Sequence, residues 1–378
     1  MNKEHLSAFT YANRVELVRG GYEFFLRLKT LIDEAQKTIH FQFYILEEDD
    51  TGRLIADALK AASLRGVNVF MLLDGFASLT LSSSFVQELR NSGIHFRWFK
   101  SYIRNRKFYV GRRLHHKIVV VDSLKSFVCG LNVSDRYNDT VESIAWLDWA
   151  LYSEGAVSSR LEQVCKKRIK DYSSNYVPSK ENGEKCAVRV CVNDWVGRKS
   201  DITKSYLQLM NEANSKIIIM SPYFMPGYQF RKSLRRAVKK GVTVQIVLTG
   251  ISDIWVSKYA ERYLYAWLMR LGVEIYEYQK NVLHGKIVVA DGACVSVGSY
   301  NVNNLSAYAS IELNLEIKNH TFAQDVDRQL TSIIQDECLQ ITEASKNFES
   351  GIFNRFVQLL AYNFQRFMLL IFAFKQRG

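Results

Sequence analysis

Only three prolines occur in 378 residues, and the 20 glycines form no repeat, which excludes a linker, a low-complexity tract or a collagen-like polymer. The six cysteines, Cys129, Cys165, Cys186, Cys191, Cys294 and Cys338, include no Cys-x-x-Cys pair and no Cys/His spacing of a zinc site. They read as buried thiols of a reducing compartment, with neither disulfides nor a structural metal expected. Met1 to Thr10 is polar and lacks the apolar stretch of a signal peptide or membrane anchor, so a cytoplasmic body is expected. Hydrophobic residues make up 48% and charged residues 23%, ordinary for a folded chain, and the length suggests about two to three domains. Acidic residues are outnumbered: Lys+Arg 50 against Asp+Glu 38 leaves +12. That excess favours an anionic partner, either nucleic acid or a membrane rich in acidic lipid.

The chain repeats one plan. Apolar residues at helical spacing from Phe24 to Ala35 precede a strand-like run from Thr38 to Ile45. A helical stretch from Leu54 to Leu64 and the run Gly66 to Asp74 follow. The same order returns as a helix Tyr206 to Ala213, a strand Lys216 to Met220, a helix Phe230 to Lys240 and a strand Gly241 to Leu248. Strands alternating with helices, and runs too uniformly apolar for a one-sided sheet, predict two fused α/β domains, each a sheet covered on both faces. The joint is expected at Tyr172 to Lys185, where Ser, Asn, Pro and Glu replace the apolar periodicity. The predicted domains are 12–175 and 186–345, followed by a separate segment at 351–378.

Two copies of His-x-Lys-x4-Asp fall at equivalent places in this repeat. They are His115, Lys117 and Asp122, and His284, Lys286 and Asp291. On an extended chain residues i and i+2 face the same way, so each His is expected beside its Lys, while His116 turns to the other side. Two similar domains meeting about a pseudo-two-fold axis would gather two imidazoles and two ammonium groups around one pocket. A phosphodiester fits such a pocket, because displacement at phosphorus gains from fixed positive charge and an in-line nucleophile. One histidine can attack phosphorus while the other protonates the departing alkoxide and then activates the acceptor hydroxyl. No metal or cofactor is required by this chemistry.

These residues resemble the phospholipase D superfamily, whose two such motifs build one active site in a duplicated α/β/α sandwich. Cys129-Gly130-Leu131-Asn132 and Gly298-Ser299-Tyr300-Asn301 stand where that family carries Gly-Gly-x-Asn or Gly-Ser-x-Asn, which implies Asn132, Asn301 and Ser299 as phosphate ligands. Cys129 departs from the usual glycine. Trp146-Leu147-Asp148 matches the family's Trp-x-Asp, and Ser306 and Glu312 fit its Ser and Glu after the second motif. Asp148 and Glu312 are thereby implied to orient the two imidazoles, with Glu316 a nearby rival. Asp122 and Asp291, counted with the catalytic motif, are implied to anchor turns. Further stretches, among them Phe41-Gln42-Phe43-Tyr44-Ile45, Leu72-Leu73-Asp74-Gly75 and Ser221-Pro222-Tyr223-Phe224-Met225-Pro226, resemble bacterial cardiolipin synthases over roughly residues 12 to 318, in the short form without N-terminal transmembrane helices. The resemblance implies phosphatidyl transfer between two phosphatidylglycerol molecules. A hydrolytic phospholipase D, a nuclease and a silent membrane-binding scaffold stand as alternatives.

Two segments bear on the partner. From Ile94 to Lys117 eight Lys and Arg residues occur with no acid, interleaved with Phe96, Trp98, Phe99, Tyr102, Phe108 and Tyr109. Such a loop suits single-stranded nucleic acid, an anionic bilayer or plain solvation. From Ile352 to Phe374 a polar stripe of Asn354, Arg355, Gln358, Tyr362, Gln365 and Arg366 interrupts an otherwise apolar helix. It is too interrupted to span a bilayer, and an amphipathic helix lying in the interface is expected. Docking on the protein itself is the other reading. The expected partner is an anionic phospholipid membrane rather than nucleic acid, with the protein peripheral on the cytoplasmic face of a bacterial membrane. The oligomeric state is left open.

Overall fold

The computed structural model describes residues 8–99, 103–104, 107–108, 112–169, 186–342 and 351–374. The expected joint at Tyr172 to Lys185 and residues 100–102, 105–106 and 109–111 of the basic-aromatic loop lie outside them. The chain divides into two compact units that interleave in sequence. The first is Met1–Val192 with Val297–Ser299 and Ile311–Ile317, and the second is Asn193–Ser296, Tyr300–Ser310 and Lys318–Gly378.

A seven-stranded sheet organises the first unit, in the order Asn13–Arg19, Trp149–Gly155, Lys125–Cys129, Lys117–Val121, Thr38–Phe43, Asn68–Asp74, His95–Phe99. The last three strands are parallel, as they must be when the helices Asp50–Leu64 and Ser83–Asn91 carry the chain back across the sheet. The period of two decides which face each residue joins. Ile39, Phe41, Phe43, Val69, Met71, Leu73, Val119 and Val121 enter the apolar core with Phe24, Phe25 and Leu28 of the helix Tyr22–Asp33. His40, Gln42 and His116 take the other parity and are fully buried. There the Gln42 amide donates to the Cys165 carbonyl of the helix Ala156–Ile169 at 3.0 Å, and His116 Nε2 meets Gln42 Oε1 at 3.0 Å. Burial holds the His116 pKa well below the ordinary histidine range, so its ring is neutral and Nε2–H is the donor. His116 therefore fastens sheet to helix, on the side away from His115, in agreement with the alternation.

The second unit repeats the register. Lys216–Met220 lies parallel to Thr243–Ile251, and that strand parallel to Glu274–Val282. On its other flank Ile287–Ala290 runs antiparallel, with Cys294–Gly298 beyond it. Thr38 is paired with Asn68, and Lys216 with Thr243; Gln42 is paired with Ile118, and Met220 with Ile287. Residues 38–44 and 216–222 are thus equivalent, as are 113–121 and 282–290. Cys338–Ile341 adds an antiparallel edge strand without a counterpart in the first sheet.

Candidate active site

Each residue of the two motifs has a local reason for its place. Asp122 closes the strand Lys117–Val121 in a left-handed turn, φ 52°. Its Oδ1 accepts from the backbone N–H groups of Lys37 and Thr38 at 2.7 and 2.8 Å, and its Oδ2 from Gln36 at 2.9 Å. Asp291 repeats this, φ 52°, accepting from the N–H groups of Asn214, Ser215 and Lys216 and from the Ser215 hydroxyl. Burial alone would raise the Asp291 carboxyl, but these donors hold it below its ordinary value. Both aspartates sit at the end of the strand opposite the lysine, roughly 16 Å away at about 3.3 Å per residue. Both carboxylates are engaged by the backbone of the facing turn, Asp291 by the Ser215 hydroxyl as well, which is the anchoring role the resemblance implies.

At the other end stand the histidines, which precede the strands rather than lie in them. The His115 N–H donates to the Ile311 carbonyl at 3.0 Å, so the Ile311–Ile317 stretch is laid against the first motif within the first unit. This places Glu312 Oε2 2.8 Å from His115 Nδ1. The Ser299 hydroxyl donates to the same Glu312 oxygen at 2.6 Å and accepts from the Leu313 N–H at 3.1 Å. Burial would push the Glu312 carboxyl up, yet His115, Lys117 and Ser299 together hold it below its ordinary value. Glu312 is thus a buried carboxylate that takes the Nδ1 proton, fixing the tautomer in which His115 Nε2 carries the lone pair. Glu316, the rival, is paired with the Arg189 guanidinium at 2.6 Å.

Lys117 is fully buried. Its ammonium donates to the His115 carbonyl at 2.7 Å and lies 5.2 Å from the centre of the Tyr44 ring. In the second unit Lys286 donates to the His284 carbonyl and, at 2.7 Å, to His284 Nδ1. An ammonium only donates, so this Nδ1 accepts and a neutral His284 ring keeps its proton on Nε2. The two imidazoles carry their protons on opposite nitrogens.

Of the expected phosphate ligands, Ser299 and Asn132 each make hydrogen bonds within the fold. The Ser299 hydroxyl spends its proton on Glu312. Asn132 accepts from the Ile45 N–H at 3.2 Å and donates to the Tyr137 hydroxyl at 3.0 Å, tying a loop together from inside. Asn301 is buried, and among the described residues its amide oxygen has no hydrogen-bond partner. The glycines of these motifs have steric work: a Cβ on Gly130 would stand 2.2 Å from Asp148 Oδ1, and one on Gly298 2.3 Å from the Leu313 carbonyl oxygen. Cys129 fits beside Gly130 as a fully buried core residue. Asp148 is fully buried, with Oδ1 accepting from the Trp149 N–H at 2.7 Å.

Tyr44, Asp74 and Arg113 were not singled out as site residues by spacing, yet they surround His115. The Tyr44 ring meets the His115 ring edge-on at 4.7 Å. Asp74 accepts from the Leu114 N–H at 2.8 Å and lies 3.6 Å from the Arg113 guanidinium. The available signal was position: Tyr44 and Asp74 occupy the carboxyl ends of parallel strands, where open α/β sheets bind ligands.

Comparison with known proteins agrees with the duplication. The family described as "Cardiolipin synthase, PLD-like domain" matches residues 28–164 and 206–334, one stretch for each copy of the motif. Cardiolipin synthase B of Salmonella typhimurium is 33% identical over 343 residues, covering 88% of this chain and 83% of that protein. Cardiolipin synthase B of Escherichia coli K12 is 32% identical over 341 residues with the same coverage. Among solved structures, phosphatidylserine synthase of Haemophilus influenzae superposes with a TM-score of 0.71 over 97% of both chains at 13% identity, a likeness of fold.

Proposed function

Because the chain belongs to the cardiolipin synthase, phospholipase D-like family and is a phosphatidyltransferase of that kind, we propose that it joins two phosphatidylglycerol molecules into cardiolipin through a phosphohistidine. His115 Nε2 attacks phosphorus, the bond from phosphorus to the glycerol headgroup oxygen breaks, and the departing alkoxide takes the Nε2 proton of His284 while the Lys286 ammonium passes a proton to His284 Nδ1, so that the ring stays neutral. His284 Nε2 then removes the proton of the second lipid's hydroxyl, whose oxygen displaces His115, and the Nδ1 proton returns to Lys286, restoring both rings. Lys117 and Lys286 offset the charge on the phosphate oxygens. The observation that carries this reading is the opposed pairing of the two Nδ1 atoms, a carboxylate (Glu312) at 2.8 Å from that of His115 and an ammonium (Lys286) at 2.7 Å from that of His284, which favours a lone pair at Nε2 of the first ring and a proton at Nε2 of the second. The test is to incubate the purified protein with phosphatidylglycerol vesicles and a chelator, and to resolve the products by mass spectrometry. Cardiolipin with free glycerol is expected. Phosphatidic acid alone would make the protein a hydrolase.

A lipid surface as partner is supported by the C-terminal helix Ile352–Phe374. It docks through part of its polar stripe, with Asn354, Arg355 and Arg366 exposed: Tyr362 accepts from Arg231 at 2.9 Å and packs on Tyr263 at 4.8 Å, and Gln365 donates to the Ser257 hydroxyl. Phe353, Phe356, Leu360, Phe364 and Phe367 are left 52–76% exposed, at spacings that place them on one stripe. Among the described residues no helix is long and apolar enough to cross a membrane. An apolar stripe turned outward on a helix held by its polar side suits shallow insertion among acyl chains. Phe356→Glu with Phe364→Glu is expected to weaken binding to phosphatidylglycerol vesicles at least about tenfold, since each buried Phe is worth roughly 1.5–3 kcal/mol. Undiminished vesicle sedimentation of the double variant would exclude this face.

A further inference from the structure

The two units share a framework but differ in the side chains that flank the histidines. By the strand register, Tyr44 of the first unit corresponds to Pro222 of the second, Asp74 to Thr249 and Arg113 to Val282. The backbone fastening is common to both. The N–H before each histidine, that of Leu114 or Leu283, donates to the side chain at the end of the neighbouring strand, Asp74 at 2.8 Å or Thr249 at 3.3 Å. What the second unit lacks is a phenol and a guanidinium.

In the first unit these two groups are built in. Asp74 accepts from the N–H groups of Phe76 and Ala77 as well as Leu114. It thereby binds the Phe76 turn to the residues leading into His115. Arg113 is held between this carboxylate, 3.6 Å away, and the face of Phe76, 4.8 Å from the ring centre. Beside it the Tyr44 ring touches His115 and Lys117, and the described residues give its hydroxyl no partner. Burial and the Asp74 charge push that phenol up to about 12, so it remains a hydrogen-bond donor throughout the physiological range. Phe76 and Leu79 continue outward from Arg113 with 45% and 55% of their surface exposed. A fixed cation, a neutral donor and an adjoining apolar loop make up what a phospholipid phosphate with its chains requires.

We propose that Tyr44 and Arg113 form a subsite for the phosphate of the acceptor phospholipid, on the His115 side only. The proposal rests on the transferase reading. Two monoanionic lipids must be held at once during transfer, and the motif lysines are engaged with the phosphate being transferred. A second fixed cation offsets the repulsion that the acceptor's own phosphate would otherwise meet. The lone-sidedness gives the duplicated fold a direction: the donor lipid loads on His115, and the acceptor's phosphate rests against the same unit.

The test uses one phosphatidyl-enzyme offered two acceptors. Phosphatidylglycerol vesicles are incubated with excess isotope-labelled glycerol, and the ratio of cardiolipin to labelled phosphatidylglycerol is read by mass spectrometry. Labelled glycerol carries no phosphate, so the ratio reports recognition of the acceptor's phosphate, whatever the rate of loading. Tyr44→Phe and Arg113→Gln are each expected to lower the ratio roughly tenfold or more, the value of one charge-assisted or buried hydrogen bond, and Arg113→Lys to recover part of it. A wild-type ratio in both variants overturns the subsite, including when total turnover falls, because both products then decline together. If the wild-type protein forms neither product, the transferase reading fails instead.

Discussion

His115→Asn is expected to eliminate any acid-labile phospho-enzyme and to lower turnover by about 10⁴-fold or more, the scale on which removal of an attacking group acts. Asparagine is the informative replacement. Alanine would leave the fully buried Glu312 without its partner, a defect worth about 3–5 kcal/mol that would confuse folding with chemistry. An asparagine amide still offers a donor to Glu312 Oε2, where His115 Nδ1 now stands at 2.8 Å. The companion variant His284→Asn is expected to behave differently. It should retain phosphorylation of His115 when the substrate carries a leaving group that departs unprotonated, such as a nitrophenolate, and should then fail to discharge. Quenched mixtures with phosphorus-labelled substrate, run on denaturing gels, separate the two cases. Label retained by His115→Asn and lost by His284→Asn would reverse the roles assigned from the ring protons.

Much of this arrangement was legible in the sequence, for identifiable physical reasons. The strand positions followed from uniformly apolar runs such as Ile118 to Val121, fully buried in the structure, and the duplication from equal spacing of motif and strand. Alternation alone separated His116 from His115, and the buried contact of His116 with Gln42 agrees with it. The partner of His115 was harder. Glu312 and Glu316 are four apart on a single strand and share a face, so periodicity cannot choose between them. The choice is made by tertiary neighbours, Arg189 for Glu316 and Ser299 for Glu312, the latter contact lying where adjacent strands bring Gly298 against Leu313. Asn132 and Ser299 were assigned to phosphate because a motif names residues without saying where their hydrogen bonds go, and in the fold each also serves a neighbour, Tyr137 for Asn132 and Glu312 for Ser299. The C-terminal helix shows the opposite limit: its amphipathic pattern was plain, but which stripe faces the protein was set by Arg231, Ser257 and Tyr263, far away in sequence.

Glu312→Gln should lower turnover by about 10²–10⁴-fold, within the range found when a carboxylate that orients a catalytic or metal-bound imidazole loses its charge. The replacement preserves volume and an acceptor toward Nδ1. What it removes is the negative charge that stabilises the imidazolium-like ring as the Nε2–phosphorus bond forms. Ser299 should then matter less, so Ser299→Ala added to Glu312→Gln is expected to cost little beyond the single variant. The same substitution has a signature in stability. Burial raises the Glu312 carboxyl, but His115, Lys117 and Ser299 outweigh it and leave the folded-state pKa below the ordinary 4.5. A carboxyl depressed on folding contributes stability above its unfolded value and loses it as pH falls through the folded value. The stability gap between wild type and Glu312→Gln, about 1–3 kcal/mol for loss of charge-assisted hydrogen bonds, should therefore be level from pH 6 to 8, and should narrow below roughly pH 4.5 as the wild-type carboxyl protonates. Denaturant midpoints taken across that interval measure it. A gap that widens on acidification would mean that Glu312 is held neutral in the folded protein, and the tautomer assigned to His115 would go with it.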